Sequence, residues 1–250
     1  MKGQFLVSAF SKPNMGRNIY ADKSSLVLNW ILMQGVEKED FSLREVAVAT
    51  GIGLGTVHRV FEHLILKGYL QAIGIRTNKK FAVKKASELL FEWIGKYNIV
   101  EKCKFYSYSS GFISREQIIE ALILSGLQEK VVLALHSSAE AQRLKNTNLQ
   151  QLELYMVEPG VRQKLERTLK LSPKERGYEV LLIEPYYKAF LKQSVSLQVI
   201  DSENYLFHTS ELLTFLDLYH FPLRGIEQAE FMAHKNSKLK RIYKRGTKNG

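Results

Sequence analysis

Side chains that can contact nucleic acid are concentrated in two neighbouring segments of this sequence. The candidates in the first segment, at the start of an amphipathic pattern, are Leu54, Gly55, Thr56, His58 and Arg59. The candidates in the second, a polar turn further along the chain, are Arg76, Thr77, Asn78, Lys79 and Lys80. Arginine can pair with a guanine edge, threonine with a phosphate or a thymine methyl, and lysine with phosphates. These residue types predict an interface for double-stranded DNA.

Two regions account for the net positive charge of the chain. The whole sequence has 36 Lys and Arg against 25 Asp and Glu, a formal net charge of +11. Residues 53–85 contain seven of the basic residues and one acid, and residues 234–250 contain seven more and no acid. The remainder of the chain therefore carries a net charge of −2. Local basic surfaces of this kind indicate a polyanion partner.

Both candidate segments lie in a region, residues 21–85, whose pattern predicts a winged helix-turn-helix. Apolar residues at helical spacing predict a helix over 21–36. Ser42 and Glu45 have the spacing of a capping box before a helix over Leu43–Thr50. After the turn GIGLG, the pattern predicts a recognition helix over 54–69, and then two strands, 70–75 and 80–84, joined by a polar turn.

The recognition helix of such a motif enters the major groove, and the hairpin, or wing, lies beside it. Gly55 would let the backbone approach a phosphate, and Arg59 is placed to read a guanine edge. Ser42 and Arg44, at the start of the preceding helix, are placed for contacts to the DNA backbone. Each feature alone is common in proteins that do not bind DNA, so the prediction rests on their combination.

Helical and strand patterns alternate in the rest of the chain, which predicts an α+β fold. We expect an N-terminal winged helix-turn-helix, a mixed α/β domain and closing C-terminal helices. The predicted divisions are an N-terminal extension (1–20), the winged helix-turn-helix (21–85), a linker helix (86–98), the α/β domain (99–235) and a basic tail (236–250). The predicted helices after the linker are 114–125, 139–144, 161–169, 211–219 and 225–234. The predicted strands are 131–135, 152–157 and 178–183, with a hairpin over 197–210 that turns at 201–204.

The sequence offers no recognisable catalytic, metal or cofactor site, so we expect no enzyme and no cofactor. A nucleotidyltransferase needs a Gly-Ser turn followed by paired carboxylates, whereas Glu153, Glu158 and Glu184 stand alone near predicted strands. His58 and His63 are five residues apart on one helix and point in different directions. The single cysteine, the short apolar stretch at the start and the absence of a long apolar run predict a cytoplasmic protein that does not enter a membrane.

Two segments resemble the antitoxins of the abortive-infection AbiEi type. The run GIGLGTVHRVFEHLILKGYL is similar to their winged helix, and LLTFLDLYHFPLRGIEQAEF, residues 212–231, is similar to their C-terminal signature. EALILSGL, residues 120–127, resembles the helix that begins their second domain. The resemblance implies a repressor of its own operon whose second domain counteracts a nucleotidyltransferase-like toxin. Ile52-Gly53 departs from the usual Val-Ser pair and removes a hydroxyl from the turn.

Three alternatives stay open at this point. The protein could be an interaction module without a toxin partner, or an RNA-binding protein that uses a basic tail. A tail of this composition is equally typical of a disordered solubilising end. Asp217, Arg224 and Glu227 could contact a partner, or Asp217 could cap a helix or form a salt bridge with Arg224 while Gly225 starts the last helix. The sequence does not indicate an oligomeric state.

Overall fold

The computed structural model describes residues 18–74, 79–193, 195–200 and 204–244. Within these ranges the chain forms helices together with a two-stranded and a seven-stranded sheet. The α+β class predicted from the sequence is therefore confirmed. The predicted turns over 76–79 and 201–204 lie largely outside the described residues.

The N-terminal elements follow the predicted order of three helices and a hairpin. They are α1 (Asp22–Met33), α2 (Leu43–Thr50), α3 (Leu54–Leu66), β1 (Leu70–Ile73) and β2 (Lys80–Val83). An aromatic cluster holds them together: Phe41 packs edge-on against Trp30 and Phe61, and Phe61 packs edge-on against Phe81. The backbones of Phe41 and Phe81 also exchange two hydrogen bonds of 2.9 Å, which attach the segment before α2 to the hairpin.

The large sheet has the strand order β6-β3-β7-β5-β4-β9-β8. Its strands are β3 (Lys104–Ser110), β4 (Val131–Leu133), β5 (Leu152–Met156), β6 (Leu171–Pro173), β7 (Val180–Glu184), β8 (Val195–Val199) and β9 (Tyr205–Thr209). The pairs β5–β7 and β4–β9 are parallel, and the other pairs are antiparallel. The central strands β5 and β7 are buried and mostly apolar, as is typical of strands covered on both faces.

The remaining helices cover the sheet and join it to the N-terminal elements. They are α4 (Ala86–Lys96), α5 (Ile99–Lys102), α6 (Arg115–Leu124), α7 (Leu135–Ala141), α8 (Val161–Thr168), α9 (Lys188–Gln193), α10 (Glu211–Tyr219), α11 (Gly225–Lys235) and α12 (Ser237–Ile242). Apolar residues of α6 and α8 pack with one set of strand side chains. Those of α7 and α10 pack with the alternate set, as the two-residue period of a strand requires.

One hydrophobic core continues from the N-terminal helices into the sheet region. It contains buried residues from Ile19 to Tyr243. Polar contacts cross the same boundary: the Tyr187 hydroxyl donates to the Tyr20 carbonyl at 2.8 Å, and the Asp22 carboxylate accepts from the Ala189 amide at 2.8 Å. The chain on either side of residue 85 is therefore packed into a shared interior.

Several boundaries differ from those predicted. The strand predicted over 131–135 ends at Leu133, and α7 begins at Leu135 instead of residue 139. Strands β3 and β6 and the short helices α5 and α9 were not predicted. The view of the C-terminal segment as a disordered end is wrong for residues 237–242, which form α12. Among the helices of the described ranges, none combines the length and the apolar character needed to cross a membrane.

Candidate nucleic-acid interface

The first turn of α3 is open to solvent. Leu54 is 50% exposed, and Gly53 and Gly55 are also exposed. No atom lies within 4 Å of the position that a Cβ would occupy at either glycine. The first amides of a helix have no partner within the helix and carry the positive end of its dipole. This end of α3 can therefore accept an anionic group against its backbone.

Arg59 lies over this first turn. Its Nε donates to the Gly55 carbonyl at 3.2 Å, and its Nη2 donates to the Thr56 hydroxyl at 3.1 Å. Both hydrogen bonds are exposed to solvent. The structure thus brings together Gly55, Thr56 and Arg59, all of which were predicted to contact DNA. The guanidinium donors of Arg59 lie on the surface.

The two histidines of α3 have separate surroundings. His58 is exposed, and its Nδ1 lies 3.4 Å from a carboxylate oxygen of Glu62, one turn later. His63 is partly buried beside Glu92 and Lys67, and burial lowers its pKa. Within the described residues, no group of three or more His, Cys, Asp or Glu side chains is arranged to hold a metal ion.

Ser42 caps α2, so its side chain already has a structural role. Its hydroxyl accepts from the Glu45 amide at 3.1 Å, and the Glu45 carboxylate accepts from the Ser42 amide at 3.4 Å. Lys38 lies 3.0 Å from the same carboxylate, and this hydrogen bond lowers the pKa of Glu45. The predicted capping box is confirmed. Arg44, in the same turn, is exposed and forms no ion pair with any described residue.

The described part of the hairpin presents two lysines. The Lys79 ammonium lies 5.7 Å from the centre of the Phe81 ring, and the Lys80 ammonium lies 3.5 Å from a carboxylate oxygen of Asp40. Both lysines are exposed. The other predicted wing contacts, Arg76, Thr77 and Asn78, lie outside the described residues.

A buried polar group in the sheet region was not predicted. Glu153 is fully buried; its carboxylate accepts from the Ser137 amide at 3.0 Å, from the Ser137 hydroxyl at 2.5 Å and from the Tyr178 hydroxyl at 3.2 Å. Burial raises the pKa of Glu153 to about 7. Its hydrogen-bond partners lie 16 and 25 residues away in the chain, and neither of them is a carboxylate. These contacts attach the start of α7 to β5 and to Tyr178, just before β7.

A groove of about 460 Å³ lies above Ser137. Its apolar lining includes Ile119, Ile123 and Leu206, and its charged lining consists of Arg115, Glu116, Glu120 and Glu140. Glu140 is paired with Arg115 at 2.7 Å and with Lys145 at 3.2 Å. Ser137 itself is only 1% exposed, so its hydroxyl serves the internal contacts. The groove is a second surface that a partner could contact, and the exposed carboxylates of Glu116 and Glu120 favour a basic group there.

Asp217 has different partners from those considered in the sequence. Its carboxylate is buried and accepts from the Tyr97 hydroxyl at 2.5 Å and the Tyr155 hydroxyl at 2.8 Å. Arg224 instead pairs with Glu227, at 2.8 Å. The possibility of a salt bridge between Asp217 and Arg224 is therefore wrong, because the Asp217 carboxylate lies in the core and Arg224 lies on the surface.

Gly225 begins α11, as predicted. A Cβ at this position would lie 2.2 Å from the Leu218 carbonyl oxygen and 2.9 Å from the Phe221 Cβ. Only glycine allows this close approach of α11 to α10, so the residue has a packing role.

Comparisons with protein-family models, with curated proteins and with solved structures find no match to this chain.

Proposed function

We propose that this protein is a sequence-specific DNA-binding transcriptional regulator, in which residues 21–85 act as a winged helix-turn-helix on operator DNA. The observation that carries the proposal is the open first turn of α3, with Arg59 held over Gly55 and Thr56. Arg44, exposed in the first turn of α2, and the lysines of the hairpin flank it in the chain. A helix end of this composition fits the major groove, which is about 12 Å wide.

Binding would require Arg59 to exchange its contacts. Its two hydrogen bonds to its own helix are exposed and are of the kind that contributes only about 1 kcal/mol each. A bidentate contact with the O6 and N7 atoms of guanine would replace them and add about 1–3 kcal/mol of discrimination between bases. Lys79 and Lys80 would contact phosphates and contribute affinity without sequence preference.

The test is a titration of DNA from upstream of the gene, and of a scrambled duplex of equal length, with three variants. We expect Arg59→Ala to weaken binding to the upstream DNA by about 1–3 kcal/mol and to leave the scrambled duplex nearly unaffected. Lys79→Ala should weaken binding to both duplexes and reduce the dependence on salt. Lys67→Ala is the control, because Lys67 lies at the other end of α3, beside Glu92.

Two results would contradict the proposal. One is equal affinity of the unmodified protein for both duplexes, together with no effect of Arg59→Ala. The other is a decrease in affinity on Lys67→Ala as large as that on Arg59→Ala, since such a decrease would reflect general damage to α3.

We further propose that the protein is an autorepressor and antitoxin of AbiEi type that acts in the cytoplasm on a nucleotidyltransferase-like toxin. The resemblance of residues 212–231 and 120–127 supports this part of the proposal. Co-expression of the full chain with the product of the adjacent gene tests it: the antitoxin should restore growth that the adjacent gene product alone arrests. Growth arrest that persists, or an adjacent gene product that is harmless, would contradict the antitoxin role.

A second candidate function is that of a protein-interaction module without a toxin partner, and the groove above Ser137 favours it. Glu116→Lys/Glu120→Lys would reverse the charge of the groove beside α6 while leaving α3 intact. Loss of a partner in pull-down experiments, with DNA binding unchanged, would favour this function. Loss of DNA binding with no change in protein partners would favour the regulator.

A further inference from the structure

The C-terminal segment is anchored to the fold by apolar side chains. Leu239 and Ile242 of α12 are fully buried, and Tyr243 is 8% exposed. The ring of Tyr243 packs against Phe91 of α4 and Phe215 of α10, with centroid distances of 5.5 and 5.2 Å. The backbone that carries the basic residues of α12 therefore has a defined position on the surface.

Two contacts place α12 beside the segment before α2 and the start of α4, which follows the hairpin. Arg241 lies 2.5 Å from the Glu37 carboxylate, and Glu37 precedes the segment that leads into α2. On the other side, the Ser87 hydroxyl donates to the Ile242 carbonyl at 2.6 Å and accepts from the Lys244 amide at 3.0 Å. Ser87 follows the hairpin by four residues. Consequently α12 lies between the chain that enters α2 and the chain that leaves the wing.

This arrangement brings together basic residues that are far apart in the sequence. The α12 basic surface consists of Lys84, Lys85, Lys238, Lys240 and Lys244. All five are exposed, and none forms an ion pair within the part of the chain that the structure describes. Residues 234–250 contain no acid that could neutralise them. Lys238 and Lys240 flank the buried face of α12, and the other three lysines lie in the chain just before Ser87 and just after α12. Exposed, unpaired lysines of this kind can contact phosphates.

We propose that the α12 basic surface is a second phosphate-binding surface, which extends the contact of the winged segment along the same DNA duplex. The inference rests on the proposed function, because it requires that residues 21–85 bind DNA. It assigns the basic C-terminal segment to the DNA-binding unit and not to a separate RNA-binding tail. Its contribution is sequence-independent, since lysine contacts to phosphates carry no base information.

The experiment compares the full-length protein with the variant Lys238→Ala/Lys240→Ala/Lys244→Ala. Arg241 is kept because it pairs with Glu37. At about 0.1 M salt we expect binding to upstream DNA and to a scrambled duplex to weaken by a similar factor, about tenfold. The slope of the logarithm of affinity against the logarithm of salt concentration should become shallower by about 0.9 for each phosphate that the variant no longer neutralises.

The control variant is Lys164→Ala/Arg167→Ala/Arg176→Ala, which also removes three exposed positive charges, from α8 and the loop after β6. It should bind as the unmodified protein does. The midpoint of thermal unfolding should be unchanged for both variants, because neither removes a buried side chain.

The outcomes separate the inference from the proposed function. If the unmodified protein binds duplex DNA and the α12 variant binds it with the same affinity and salt slope, the inference is wrong and the proposed function stands. If the α12 variant loses only binding to single-stranded RNA of equal length, the surface serves RNA and the inference is also wrong. If the unmodified protein binds no duplex DNA, both are wrong.

Discussion

At the scale of single residues, Asp217 connects distant parts of the fold. Its carboxylate accepts from Tyr97, which follows α4, and from Tyr155 in β5. Burial raises the pKa of Asp217 to about 7. The folded protein therefore holds a proton on this group at pH values where the unfolded chain has released it. The stabilisation from the protonated form is fully present below about pH 4 and is lost as the pH rises through about 7.

We predict that Asp217→Asn removes this pH dependence, because an amide does not titrate. The difference in free energy of unfolding, unmodified protein minus variant, should be larger at about pH 5 than at about pH 8 by about 2 kcal/mol. Urea denaturation at the two pH values measures it. An equal difference at both would mean that Asp217 is ionised throughout this range in the folded state.

Residue-level contacts of this kind could not be predicted from the sequence. The partners of Asp217 are 120 and 62 residues away, and those of Glu153 come from two other parts of the chain. The exposure of Arg59 could be predicted, because the apolar pattern places Arg59 on the polar face of an amphipathic helix. Its hydrogen bonds to Gly55 and Thr56 are also local.

At the scale of elements, the cap of α2 has a measurable contribution. We predict that Ser42→Ala lowers the free energy of unfolding by about 1 kcal/mol, because the Glu45 amide loses its hydrogen-bond acceptor. The midpoint of thermal unfolding reports this change.

The variant Ser42→Asp tests the predicted DNA contact of Ser42 independently of its role as a helix cap. Aspartate also caps a helix, so stability should be largely retained. Its negative charge should nevertheless weaken binding to both the upstream and the scrambled duplex if the start of α2 faces phosphates. Unchanged DNA binding by Ser42→Asp would remove Ser42 and its surroundings from the proposed interface.

Elements with strong local signals were predicted well. The helix over Leu43–Thr50 has the predicted bounds because a capping box starts it and Gly51, at φ 64°, ends it. Strand β3 was missed because its serines alternate with aromatic residues and give no apolar run. The α12 helix was missed because its charge suggested a tail, although Leu239, Ile242 and Tyr243 have helical spacing.

At the scale of the whole molecule, the continuous core predicts a single unfolding transition. Trp93→Phe leaves Trp30 in α1 as the only tryptophan, so tryptophan fluorescence, excited selectively over the twelve tyrosines, then reports on the N-terminal elements. We expect its thermal transition to coincide with that of the far-ultraviolet circular dichroism of the whole chain. Two separate midpoints would mean that residues 21–85 unfold independently despite the shared interior.

Shared packing also restricts how the chain can be divided in experiments. Ending the chain after Ala233 would remove Leu239, Ile242 and Tyr243 from the core. A truncated protein that fails to bind DNA would therefore reveal nothing about the lysines of α12. Substitution of exposed side chains in the full chain is the informative approach.

The close approach of α10 and α11 at Gly225 has a consequence for genetics. A random screen for mutants that lose the proposed repression would recover changes at Gly225, Asp217 and similar buried positions, which lie outside the proposed interface. Alleles in the sheet region would be recovered beside alleles in α3, because one interior supports both. Separating them requires measurement of protein abundance in each mutant: interface alleles would keep normal levels, and packing alleles would be degraded.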